Sequence, residues 1–95
     1  MFAVFLRFAA NKAKAGALMA AHNAWVAKGL ADGIFQLVGS LEAQGGGLIL
    51  AHGEDRPALE TRIAQDPFVA EGVVTAQIIG FSPNRADPRL AFLLA

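Results

Sequence analysis

The sequence predicts an α+β domain of order βαββαβ: one four-stranded antiparallel sheet with two helices on one face. Three observations carry this. Four apolar runs, at 2–9, 34–41, 47–53 and 73–82, have the length and residue type of strands. Two stretches with helical spacing, at about 13–32 and 54–65, separate the first run from the second and the third from the fourth. The second and third runs are joined by the glycine turn "EAQGGG", 42–47, and so form a hairpin. The order of elements is that of the ferredoxin-like arrangement.

In "FAVFLRFA", 2–9, strict alternation puts Phe2, Val4, Leu6 and Phe8 on one face and Ala3, Phe5, Arg7 and Ala9 on the other. Asn11 is the expected N-cap of the first helix. Within that helix Leu18, His22, Trp25 and Gly29 form one stripe and Met19, His22, Val26 and Leu30 an adjacent one, so His22 stands at the centre of the buried face. Gly29 inside a helix costs about 1 kcal/mol against Ala, which a close contact would explain. Gly33 is the expected stop. The second strand is expected to end or break near Gly39. The second helix starts between Asp55 and Pro57, because proline belongs in a first turn, and is anchored by Leu59 and Ile63. "DPFVAEG", 66–72, makes a short turn of its own, and 83–95 is a tail with two prolines and an apolar end.

At 95 residues the chain is one domain, 1–95. It is 55% hydrophobic and 17% charged, too apolar for disorder and rich for a small monomer with little interior. The second sheet face carries apolar side chains from every strand, and its cover is expected to be a second copy, in a two-fold homodimer through sheet faces. A net charge of zero gives no footprint for nucleic acid. There is no cysteine, so no disulfide, thiolate nucleophile or Cys-based metal site is expected. The opening run is one strand long, well short of the roughly 20 apolar residues of a membrane span; it reads as a strand of a cytoplasmic protein. The "GGG" at 45–47 lies in a hairpin and lacks the Lys and following helix of a phosphate loop. Two histidines without cysteine make a protein-only metal site unexpected, and no cofactor is expected.

Few groups remain for chemistry. His22 is the strongest candidate, since an ordinary imidazole titrates near neutrality and serves as acid or base. A general base needs an orienter on its other ring nitrogen, and Asp66, in a loop 44 positions on, is the candidate. Each has a plainer explanation. A lone histidine on an apolar face is commonly structural, and Asp66 before Pro67 is an ordinary N-cap. Where the Asp66 carboxylate points distinguishes the two. Arg7, Trp25 and Phe68 are candidate substrate contacts, although a carboxylate partner or extension to the rim is the plainer explanation of Arg7. His52, before Gly53, reads as surface or rim.

Nearly the whole chain resembles the YCII-related (YciI-like) proteins. The matching features, in order, are a first strand, a helix with central His22, Gly33 eleven residues later, Gly39 after a strand, a hairpin, "Asp66-Pro67-Phe68-Val69", and "Glu71-Gly72-Val73" entering the last strand. The resemblance implies a ferredoxin-like dimeric α/β barrel, a His22–Asp66 pair at a pocket, and kinship with muconolactone-isomerase-like proteins and dehydrochlorinases. The chain departs from the family pattern at Leu18 and Met19, where a basic residue stands one turn before the histidine, and at Ser40, where proline follows the second glycine. The reading that results is a small-molecule enzyme of lyase or isomerase type. Its alternative is a non-catalytic ligand-binding or interaction module with the same cleft.

Overall fold

A computed structural model describes residues 1–94. Ala95, the end of the expected tail, lies outside the described residues. The strands are β1 (Phe2–Phe8), β2 (Phe35–Leu41), β3 (Gly46–Ala51) and β4 (Val74–Gly80). The helices are α1 (Ala15–Ala31), α2 (Arg56–Ala64) and a single turn, α3 (Pro67–Ala70). All strand pairs are antiparallel and the sheet order is β2-β3-β1-β4. This is the ferredoxin-like arrangement expected from the order of elements.

Alternation along the strands sorts their side chains. Val4 and Leu6 of β1, Ile49 and Ala51 of β3, Phe35 of β2 and Val74 of β4 are buried on the face the helices cover, with Leu59, Ile63, Phe68 and Val73. The opposite face carries Phe5, Leu37, Leu48, Leu50 and Ile79 by register. β2 does not break at Gly39. It runs to Leu41, and its irregularity lies between Phe35 and Leu37, where Gln36 turns aside and its Nε2 donates to the Gly33 carbonyl at 2.7 Å.

Of two sequence expectations at helix starts, one fails and one holds. Asn11 does not cap α1. Its Nδ2 donates to the Glu71 carbonyl at 2.8 Å and its backbone N–H to Gly72 at 3.0 Å, so it ties the β1 exit to the β4 entry. A 3₁₀ turn, Lys12–Lys14, fills the gap and α1 starts at Ala15. α2 starts as expected: Asp55 Oδ1 accepts from Ala58 N–H at 3.0 Å, with Pro57 in the first turn. The apolar end of the tail forms a 3₁₀ stretch, Pro88–Leu94, in which Leu93 is buried. No helix among the described residues is long and apolar enough to cross a membrane.

Gly29 has a packing reason. It is buried, and a Cβ there would collide with the Phe35 ring. Phe35 in turn meets the edge of Trp25, with ring centroids 5.1 Å apart. The missing side chain lets the C-terminal half of α1 lie directly on β2.

Candidate functional site

α1 brings His22 over the point where α2 ends and α3 begins. There Asp66 is held by the helix it starts. Its φ of −62° and ψ of 123° are extended, and its Oδ1 accepts the Phe68 N–H at 3.0 Å, with Pro67 at the first helical position. The same Oδ1 accepts from His22 Nδ1 at 2.8 Å. One oxygen therefore makes both contacts, to the cap N–H and to His22, that the sequence left as alternatives. Asp66 is fully buried, and its Oδ2 has no hydrogen-bond partner among the described residues.

The imidazole is fixed on a second side. The Phe68 ring stacks on it, centroids 4.0 Å apart and planes 5° from parallel. A carboxylate only accepts, so Nδ1 carries the proton in the Asp66 bond. Nε2 is left as the unprotonated nitrogen of neutral His22 and as the one available to a ligand. The His22 side chain is 16% exposed.

That remaining exposure opens on a cavity of about 350 Å³ between α1 and the helix-covered sheet face. His22, Met19 and Val26 line it from the helix, Leu6 and Ile49 from the sheet, and Phe68 from α3. Asn23 and Ser40 are the polar groups beside His22, and His22 is the one titratable residue in the lining.

Of the five residues singled out from sequence, His22, Asp66 and Phe68 come together. Arg7 and Trp25 do not line the cavity. Arg7 follows the alternation to the open face, where it donates to Gln77 Oε1 at 2.6 Å and sits over the Phe5 ring. Trp25, one turn beyond His22, points toward α2, where its Nε1 donates to the Arg62 carbonyl at 3.0 Å. Asn23, Ser40 and Gly47 were missed. The signal for the last two was in the hairpin: Gly47 pairs with Leu6 on one side and Ser40 on the other, on the helix-covered face.

An ion cluster braces the far end of α1. Arg62 donates from Nε to Glu54 at 2.7 Å and from Nη1 to Asp32 at 2.9 Å, and Asp32 also accepts from Lys28 at 2.9 Å. The hydrogen bond from Lys28, then that from Arg62, holds the Asp32 carboxyl below its ordinary range. Glu54, then Asp32, holds the Arg62 guanidinium above its own. No group of three or more potential metal ligands occurs among the described residues.

The sequence profile of the YCII-related domain matches residues 1–81. Among curated proteins none matches. Among solved structures, 5-chloro-2-hydroxyhydroquinone dehydrochlorinase from Burkholderia phenoliruptrix AC1100, in complex with 2,5-dihydroxybenzoquinone, is similar in fold. It is 16% identical, covers 85% of this chain and 93% of its own, and superposes with a TM-score of 0.68.

Proposed function

This chain belongs to the YCII-related domain family, and from that premise we propose that it is a small-molecule enzyme of lyase or isomerase type. His22 is the general acid/base, Asp66 orients it, and Phe68 is both its platform and a wall against the substrate. One observation carries the reading: His22 lines a cavity while its Nδ1 is taken by a buried carboxylate 2.8 Å away. Nε2 then takes a proton from a cyclic compound in the cavity. The imidazolium so formed is stabilised by Asp66, as in other His–carboxylate pairs. In an elimination the C–H electron pair becomes the new double bond and the leaving group departs with its own pair. In an isomerisation Nε2 returns the proton at another carbon. General acid–base groups of this kind supply about 10²–10⁴-fold.

The activity of the protein similar in fold, a dehydrochlorinase with a dihydroxybenzoquinone bound, supports a proton-transfer chemistry on a ring compound. No cofactor or metal enters the scheme. We place the enzyme in the cytoplasm as a homodimer through the open sheet faces, with a small molecule, and neither nucleic acid nor membrane, as its ligand.

Incubation of the protein with a metabolite pool, followed by time-resolved mass spectrometry, tests the reading. Chemical change that disappears in His22→Gln supports it, and full activity in that variant rejects it. The second reading, a binding module that transforms nothing, is favoured by the Asp66–Phe68 cap, which gives Asp66 a structural role. It predicts saturable binding without product.

A further inference from the structure

The cavity beside His22 has an annex. A second cleft, of about 430 Å³, shares Phe8, Ser40 and Gly46 with it and continues toward Lys12. The two compartments differ in charge. The inner one is lined mostly by apolar side chains, with Asn23 and Ser40 as its polar groups and His22 as its titratable one. In the outer one Lys12 is the charged residue, with Nζ 4.6 Å from the centroid of the Phe8 ring, over the wall common to both. Among the described residues Lys12 has no carboxylate partner, the ion pairs being made by His22, Lys28, Arg56, Arg62 and Arg89. Ser40, which lines both compartments, likewise makes no side-chain hydrogen bond among the described residues.

The inner floor is shaped by an absent side chain. Gly47 lies between Leu6 and Ser40 on the helix-covered face. A Cβ built on it meets only the Gly39 carbonyl oxygen, at 3.4 Å, and a larger side chain would project into the space beneath His22. Gly46 next to it is different in kind: its φ is 117° and a Cβ would collide with the Leu6 carbonyl. Gly46 thus serves the backbone, whereas Gly47 serves the cavity.

We propose that the ligand is a flat ring compound bearing one acidic substituent. Its ring lies over Gly47 against His22, and its anionic group passes Ser40 to Lys12. This rests on reading the His22 cavity as the ligand site. It adds that a fixed anchor outside the reacting region orients the ring, which is how remote binding contributes to reaction geometry.

The test is a binding titration on the full chain with 2-naphthoate and its uncharged isostere 2-naphthamide, followed by amide chemical shifts. Both compounds are expected to shift Ser40 and Gly47. The carboxylate is expected to bind about two- to five-fold more tightly at low salt, the range of an exposed ion pair. That preference disappears in Lys12→Met and in 1 M salt, where the screening length is about 3 Å, while 2-naphthamide affinity is unchanged by Lys12→Met. Gly47→Leu abolishes binding of both, and the wild-type shift map checks the same location without relying on that variant's folding. Equal affinities, a preference that survives Lys12→Met, shifts away from Ser40 and Gly47, or no binding of either compound overturns the proposal. Because no turnover is read, carboxylate-selective binding in a protein that transforms nothing upholds this inference and removes only the catalytic reading.

Discussion

Phe68 and His22 stack face to face, 4.0 Å between centroids and 5° from parallel, while the backbone N–H of that same Phe68 bonds the carboxylate oxygen that receives His22 Nδ1. One residue thus fixes the plane of the imidazole with its ring and the position of its carboxylate partner with its backbone. The ring is expected to matter twice. Phe68→Ala removes a buried aromatic, a loss of about 3–5 kcal/mol, against a total of about 5–15 kcal/mol for a domain. Phe68→Leu keeps volume and loses the plane, so it is expected to cost less stability and still broaden the His22 ring resonances. Urea melts together with imidazole NMR check this; a rigid His22 ring in Phe68→Leu would contradict it.

Asp66 fixes a tautomer. Neutral wild-type His22 is expected to carry its proton on Nδ1, which long-range ¹⁵N–¹H correlation of the imidazole reads directly. Asp66→Asn retains a good N-cap residue and so lowers the melting temperature little. It removes the charge that favours the imidazolium, and turnover of an identified substrate is expected to fall by about 10²-fold or more. Unchanged turnover in Asp66→Asn would remove Asp66 from the mechanism.

Gly29→Ala sets two effects of opposite sign against each other. Helix propensity favours alanine by about 1 kcal/mol, whereas the new Cβ collides with the Phe35 ring. Overpacking of a core typically costs about 1–3 kcal/mol, so destabilisation is expected. Trp25, the single tryptophan, packs on the same ring, and its fluorescence reports the displacement. A stabilised variant would show that Phe35 has room to move.

Much of this arrangement was legible because it is local. Alternation in 2–9 sorts Val4 and Leu6 from Phe5 and Arg7, and the α1 stripe sets His22, Trp25 and Gly29 on one side. What was illegible depends on partners distant in sequence. Asn11 looks like a cap until Glu71 and Gly72 arrive beside it. Trp25 shares the His22 stripe, yet one turn of helix is enough to aim it at Arg62 instead of the cavity. The His22–Asp66 pair was readable as a candidate, but the double use of one Asp66 oxygen follows from the α2–α3 corner, which no periodicity describes. The stripe also overstated burial at its edges, where Met19 and Leu30 are 44% and 46% exposed.

The ion cluster predicts an acid limb of stability. Asp32 is held below its ordinary value of 3.8 by the hydrogen bonds from Lys28 and then Arg62. A carboxyl depressed in the folded state contributes stability that is fully present above the unfolded value, about 3.9. That contribution is lost as pH falls from there through the folded value. Asp32→Asn is therefore expected to be less stable than wild type at pH 6, with the gap closing as pH drops below 4. Urea melts across pH 3–7 measure the gap, and a gap independent of pH would exclude the ionised Asp32 as its source.

The open sheet face carries the last prediction. Leu37 is 63% exposed and Ile79 and Phe81 43% each, and Phe5, Leu48 and Leu50 lie on the same side by register. A folded monomer of 9.9 kDa is expected to expose about 5,200 Å², and this chain exposes 5768 Å². The excess lies in the direction expected when an apolar sheet face and the exposed 84–92 segment are left in water. Packing two such faces together, about 10 Å apart, covers both, and Arg7 with its Gln77 partner would then lie at that interface, away from the cavity. The expected sedimentation mass at micromolar concentration is that of two chains. Leu37→Arg, an unpaired charge at the most exposed of these positions, is expected to give one chain with the His22–Asp66 bond intact by imidazole NMR. A wild-type mass of one chain would show that this apolar face stands without a second copy.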